Sequence, residues 1–177
     1  PLLSDEKIAE LVEDNRQRRR SLLAVDKAVG SVVRALKKTG QYRNTIIVMM
    51  GDNGYLLGQH RISMGKYFPY EPALRIPFVM AGPKIKRGRN AGELVSLIDL
   101  APTLLDYAKV KPTGRVPDGV SMRRMLAGKR PKKRRSVLLS SGPQRAPSGE
   151  FLPQYGDIRS PHYAWWRYDD GFEEMYD

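Results

Sequence analysis

One stretch of the chain gathers most of the side chains able to do chemistry: Asp52 and Asn53, then His60, Lys66, Glu71 and Arg75. Asp52 and Asn53 follow directly on the apolar run Ile46 to Met50 and offer a carboxylate and an amide oxygen. Oxygen donors suit a hard cation such as Ca²⁺ or Mg²⁺. In open α/β sheets ligands collect outside the carboxyl ends of the strands, which is where this pair would sit. Gly51 and Gly54 flank it and would permit unusual backbone angles and close approach. Asp-Asn-Gly is also an ordinary turn sequence, so local chemistry leaves both readings open. Lys66 could hold an anionic ester group as a point charge, or be a solvated lysine on a basic chain. His60 could donate to a leaving oxygen or bind an anion, since imidazole titrates near neutral pH; it could equally be a loop histidine tied to a carbonyl. Glu71 and Arg75, four apart, read as a structural pair.

The elements that would position these groups can be read from patterning. Residues 4 to 38 form one long helical pattern: Ser4 as N-cap, Asp5 and Glu6 in the first turn, Lys37-Lys38 at the end and Gly40 as a left-handed stop. Ile8, Leu11, Val12, Leu22, Val25, Val29, Val32, Val33 and Leu36 mark its apolar face, interrupted by Asn15, Arg16, Arg18, Arg19 and Arg20. Thr45 to Met50 is a β-branched-rich run, apolar from Ile46 on, and Ile76 to Met80 is a second apolar run, the pattern of strands covered on both faces in a parallel sheet. Glu93 to Ser96 reads as a weaker third strand, and Asp99 as the N-cap of a helix through Ala108. The order argues for an α/β fold with flanking helices. After about residue 110 Pro, Gly and basic residues dominate. A strand is expected from Arg135 to Ser140 and a loop from Pro143 to Ser160. A hairpin should turn at Asp169-Asp170-Gly171 between His162–Tyr168 and Phe172–Tyr176, making a small antiparallel C-terminal sheet. The organisation read is therefore 1–110 as α/β and 111–177 as basic linker and small subdomain.

Composition bounds what this scaffold can be. At 177 residues and 41% hydrophobic, the chain has material for one domain, or one with an appendage. It has no cysteine, which excludes disulfides, thiolate metal sites and a Cys nucleophile. No apolar run approaches the roughly 20 residues needed to cross a bilayer. The N-terminus, Pro1-Leu2-Leu3-Ser4-Asp5, has no signal pattern and reads as a cut inside a longer protein.

Taken in order, these pieces resemble the sulfatase family of the alkaline-phosphatase-like superfamily. The matching text is Ser21 to Gly30, Asn44-Thr45, Asp52-Asn53-Gly54, Gly58-Gln59-His60, Gly65-Lys66, Tyr70-Glu71, Arg75-Ile76-Pro77 and Gly82-Pro83. It continues in Asp99 to Asp106, Asp118-Gly119, Arg167 to Gly171 and Glu174 to Asp177. The resemblance covers almost the whole chain collinearly. It implies a partial alkaline-phosphatase-like parallel sheet, Asp52 and Asn53 as ligands of Ca²⁺ or another divalent cation, and Lys66 on a sulfate oxygen. It also places His60 in the same loop and implies a sulfated small molecule or glycan as substrate. In such enzymes the nucleophile is a formylglycine made from the Cys or Ser of a Cys/Ser-x-Pro-x-Arg motif lying N-terminal to Asp-Asn-Gly.

That motif is not upstream of Asp52 here. Ser141-Gly142-Pro143-Gln144-Arg145 has the spacing but lies on the wrong side in chain order, and a Gly-Pro turn is its better reading. Two oxygen-bearing side chains are also far from the six to eight or so oxygens that Ca²⁺ takes. The chain thus reads as the C-terminal portion of a sulfatase, inactive alone, whose partner is the missing N-terminal half. A phosphodiesterase or phosphonate hydrolase of the same superfamily is one alternative. Another is a basic polyanion-binding module, because the net charge is +12 and residues 123–135 hold eight cations. Aromatics for base stacking are absent from that run, which makes nucleic acid the weaker partner. Localisation is unreadable from these residues, although relatives are often exported.

Overall fold

Ser4 opens the first helix as its type predicts: its Oγ accepts from the Lys7 N–H at 3.2 Å, and α1 then runs from Asp5–Lys38. Gly40 at φ 72° supplies the left-handed stop beyond the basic last turn. The computed structural model describes residues 2–63, 65–131, 134–145, 149 and 151–177. It divides into two compact units, Pro1–Pro83 and Lys84–Asp177. That division precedes the change of composition near residue 110, because the 96–108 segment is bonded to residues 118–134 rather than to what comes before it.

In the first unit only Leu11 of α1 is buried, while Ile8, Val12, Leu22, Val25 and Val32 stay exposed. Strands β1 (Ile47–Met50) and β2 (Phe78–Ala81) pair antiparallel, with Ile47 opposite Ala81 and Met50 opposite Phe78. The parallel sheet expected here is therefore corrected. A parallel return needs a crossover of about a dozen residues or more, usually carried by an α-helix across the sheet face. The connection between β1 and β2 instead holds only a single turn at 59–61 and the one-turn helix α2 (Glu71–Leu74). Nor are both strand faces covered: Met49, Met50 and Val79 are 44, 42 and 58% exposed.

The connection is closed by backbone. The Gly54 N–H donates to Ala73 O at 2.8 Å and the Tyr55 N–H to Pro72 O at 2.7 Å, so the chain leaving β1 lies against α2. A Cβ on Gly54 would sit 2.0 Å from Pro72 O. Close approach, not an unusual dihedral, requires this glycine, since neither Gly51 nor Gly54 has positive φ.

In the second unit a 3₁₀ turn, Leu97–Asp99, leads into α3 (Leu100–Ala108), and a one-turn helix α4 (Arg123–Leu126) follows. Glu93 to Ser96 forms no strand; Ser96 instead caps the turn, its hydroxyl and the Asp99 carboxylate making a reciprocal capping box. Asp99 is thus not the simple helix cap expected. Its carboxylate is 2% exposed and accepts from the N–H groups of Ser96 at 2.9 Å and Val120 at 2.7 Å. It also takes both arms of Arg134 at 2.7 and 2.6 Å, a bidentate pair that satisfies every lone pair worth satisfying in a dry site. Gly119 lets this closure happen, because a Cβ there would lie 2.1 Å from Ile98 O. Buried Thr103 continues the seam, donating to Asp99 O and accepting from the Met122 N–H at 2.9 Å.

The C-terminal sheet is antiparallel as expected, in the order β3 (Val137–Ser141), β4 (Tyr155–Arg159), β5 (Ala164–Tyr168), β6 (Glu173–Tyr176). Strand β4 falls inside the stretch expected to be loop. Its Gly156 and alternating polar residues hide the period, and the pairing with β3 and β5 on both sides makes the strand. The turn at Asp169–Gly171 forms, with Gly171 at φ 89° and the Asp170 carboxylate accepting from the Phe172 N–H at 2.9 Å. Val137, Asp157 and Trp166 fill one face; Trp166 stacks on Tyr176 at 5.0 Å and its indole N–H donates to Glu174 at 2.8 Å.

Gly54→Ala should cost more than about 3 kcal/mol, since the clash is with backbone and cannot relax by a rotamer change; a thermal melt within a degree or two of the parent would contradict the packing. At the α3–α4 seam, the Ser121 hydroxyl at 2.7 Å and the Arg123 guanidinium at 2.6 Å hold the Asp106 carboxyl below the ordinary carboxylate range. A folded pKa below the unfolded value means the contribution is present above about pH 3.9 and lost as pH falls through the folded value. Asp106→Asn should therefore flatten the loss of stability in acid, read as denaturation midpoint against pH; identical acid limbs would rule this out.

Candidate functional site

Asp52 and Asn53 emerge at the end of β1, after the Gly51 N–H has made a last contact with Pro77 O at 3.2 Å. The Asp52 carboxylate is exposed and accepts from the Asn53 N–H at 2.9 Å, the local bond that makes Asp a turn former. The half-buried Asn53 amide is held at both ends. Its Nδ2 donates to Gly54 O at 2.7 Å, and its Oδ1 accepts from Lys66 Nζ at 2.9 Å. These opposed bonds define which end of the amide is oxygen.

Lys66 reaches Asn53 across 13 residues because the intervening loop is pinched shut. Leu56 is fully buried and exchanges bonds with Gly65: its N–H donates to Gly65 O at 2.7 Å and its carbonyl accepts from the Gly65 N–H at 3.3 Å. That bridge returns the chain beside its own start, one residue before Lys66. The loop tip turns through Gly58 at φ 93°, and then His60 at φ 55° and Arg61 at φ 61° continue in the left-handed region. For side chains with a Cβ this costs about 1–2 kcal/mol per residue, so the surrounding bonds must hold the turn. The Gly58 N–H to Ile62 O bond at 2.9 Å is one of them. The His60 imidazole lies face to face on Tyr70, with ring centroids 3.7 Å apart and planes 11° from parallel.

The structure thus brings Lys66 and Asn53 into direct contact beside Asp52, and sets His60 on the Tyr70 ring. Glu71 and Arg75 pair at 3.5 Å on the surface of α2, as their spacing suggests. Tyr70 is part of the motif text, but its stacking on His60 and the Arg18–Tyr55 contact, with the guanidinium 3.9 Å from the ring centroid, are not readable from the sequence. The aromatic residues are visible there, but the partner that each ring faces depends on the loop closure.

The donor set fits a divalent cation in kind. Carboxylate and amide oxygens are what a hard ion takes, and Asn53 Oδ1 keeps a second lone pair beside its bond to Lys66. It does not fit in number: among the described residues no group of three or more His, Cys, Asp or Glu side chains could hold a metal. Ser141, of the Ser-x-Pro-x-Arg text, ends β3, and Arg145 lies 3.8 Å over the Phe151 ring. Within the basic run, Arg134 is committed to Asp99 and Arg123 to Asp106, while Arg124 donates to Arg130 O at 3.2 Å. Lys132 and Lys133 lie outside the described residues. Among the described residues no helix is long and apolar enough to cross a membrane.

Comparison with known proteins gives the family of the chain. The Sulfatase family matches residues 5–110, and the family described as N-sulphoglucosamine sulphohydrolase, C-terminal, matches residues 58–170. The chain is 43% identical over 110 residues to the extracellular sulfatase SULF-1 homolog of Drosophila melanogaster, covering 62% of this chain and 10% of that protein. Among solved structures, it is similar to a protein in complex with its substrate D-glucosamine-2-N,6-O-disulfate, with a TM-score of 0.71 and 30% identity over 88% of this chain and 32% of that one. The phosphonate monoester hydrolase of Silicibacter pomeroyi is similar to the same degree, with a TM-score of 0.73 and 30% identity over 86% of this chain and 32% of that one. The chain therefore spans a tenth to a third of the length of these proteins. With both family matches overlapping on the Gly58–Lys66 loop and together spanning most of its length, the chain belongs to the sulfatase family.

Proposed function

We propose that Asp52, Asn53, His60 and Lys66 form part of a centre that hydrolyses sulfate monoesters. The observation that carries this reading is the 2.9 Å contact between Lys66 Nζ and Asn53 Oδ1, which puts a fixed positive charge beside two oxygen donors. Lys66 binds a sulfuryl oxygen as a point charge and stabilises the charge that grows there as the ester bond breaks. Asp52 and Asn53 supply two of the oxygens around a divalent cation. His60, its ring plane set by Tyr70, lies in the loop that would face the leaving oxygen and is suited to hold or donate a proton there. A divalent cation held there would supply charge stabilisation on the ester oxygens, and a formylglycine side chain of a longer protein would supply the nucleophile.

The remaining metal ligands and the nucleophile come, in this reading, from other residues of a longer protein. Support lies in the absence of cysteine and in the share of the relatives that this chain spans. The substrate class is a sulfated sugar or small molecule, in keeping with the glucosamine disulfate bound by a structural relative. An exported parent is in keeping with the extracellular relative.

In an assembled enzyme carrying this chain, Lys66→Ala should lower kcat for a sulfate ester about 10²–10³-fold with the melting temperature little changed, as for loss of one preorganised donor of charge. Near-parental turnover would remove Lys66 from the centre, and turnover of a phosphonate ester above that of the sulfate would reassign the substrate. The purified chain by itself, given Ca²⁺ and an aryl sulfate, should show no turnover above buffer; cation-dependent hydrolysis would show that the chain holds a complete centre.

A further inference from the structure

Between Asp14 and Asp26, α1 carries four arginines and no acidic residue. Arg18 is engaged by the Tyr55 ring. The other three, Arg16, Arg19 and Arg20, lie three and four apart and so share the opposite side of the helix. There they surround a shallow depression of about 420 Å³ together with Asn15, Val12 and Leu23. Arg16 is paired with Glu13 and remains 58% exposed; Arg19 and Arg20 are exposed. The stripe spans about 6 Å of helix from Arg16 to Arg20. Its chemistry is mixed: guanidinium groups for anions, the Asn15 amide for hydroxyls, and Val12 and Leu23 for apolar faces.

We infer that this stripe binds the sulfate groups of a sulfated glycan, as a site separate from the one built on Asp52, Asn53 and Lys66. Guanidinium forks match the oxygens of a sulfate as they do those of carboxylate and phosphate. Val12 and Leu23 give the non-polar faces of sugar rings something to rest on. No aromatic residue lines the depression, so it lacks the stacking platform on which single-stranded nucleic acid relies. The choice of a sulfated glycan among polyanions rests on the proposed sulfate-ester function. The segment 123–135, the more basic text, is the weaker candidate, because Arg123 and Arg134 are held in internal ion pairs. A glycan chain held on α1 would raise the local concentration of its esters near the same unit's reactive loop.

The test is binding of the whole chain to heparin oligosaccharides by calorimetry, in chelator, so that the Asp52–Asn53 pair and its cation do not contribute. Arg19→Glu/Arg20→Glu should weaken binding at least tenfold at about 0.1 M salt and reduce the slope of log affinity against log salt by about two. Arg19→Gln/Arg20→Gln should give an intermediate loss, and Lys129→Glu/Arg130→Glu less than threefold. Desulfated heparin should bind at least tenfold more weakly than the sulfated form. All four arginine substitutions are at exposed helical positions, and circular dichroism checks that α1 is retained. Parental affinity in the Arg19/Arg20 variants, a larger loss in the Lys129/Arg130 variant, equal binding of desulfated heparin, or tighter binding of single-stranded DNA of matched charge would each overturn the assignment. Because the variants lie on α1 and the readout is taken in chelator, failure here leaves the ester-hydrolysis reading standing.

Discussion

The backbone contact between Gly54 and the one-turn helix α2 is the constraint on which the candidate site depends. A hydrogen-bonded approach with no room for a Cβ fixes the chain on leaving β1. It thereby fixes Asp52 and Asn53 just before it and Tyr70 just ahead of α2. The Leu56–Gly65 bridge then closes the remaining loop and delivers Lys66 to Asn53. The first two steps are main-chain bonds, and a side-chain bond, Lys66 to Asn53, completes the closure. Functional groups on loops are useful only when the loop is held, and here it is held from both ends.

The second unit solves a different problem with a buried charge. Burying Asp99 would be costly if its oxygens lacked partners. Two backbone N–H groups and both arms of Arg134 meet that requirement, tying residues 96, 99, 120 and 134 into one knot. Thr103 and Asp106 extend the seam to Met122, Ser121 and Arg123. Part of the chain's unusual basicity is thus internal structure, which changes how the charge of +12 should be read. Cations already paired inside a fold contribute little to counterion release, whereas Arg19 and Arg20 on the open face of α1 keep that capacity.

The antiparallel pairing of β1 with β2 illustrates the limit of pattern reading. Continuous apolar text reports that a strand lies between apolar neighbours; it does not report the direction of its partner. Direction follows from the connection, and a loop with single helical turns brings the second strand back alongside the first in the opposite sense. In the same way β4 lacked alternation strong enough to be seen, yet two flanking strands supply its entire hydrogen-bond ladder.

What the amino-acid text determined by itself was local and chemical. The cap at Ser4, the left-handed stop at Gly40 and the turn at Asp169–Gly171 depend on a few adjacent residues, so they are readable from types and spacing. The same holds for the ordered motifs that resemble the sulfatase family, within which Asp52, Asn53, His60 and Lys66 are the groups proposed for the site. Tertiary structure alone decided that Lys66 meets Asn53, that His60 faces Tyr70, that Asp99 pairs with Arg134 and that β1 and β2 run opposite ways. Those outcomes join residues separated by ten to thirty-five positions. They are set by where the backbone can approach itself without a side chain in between, a property of the folded chain and not of any segment.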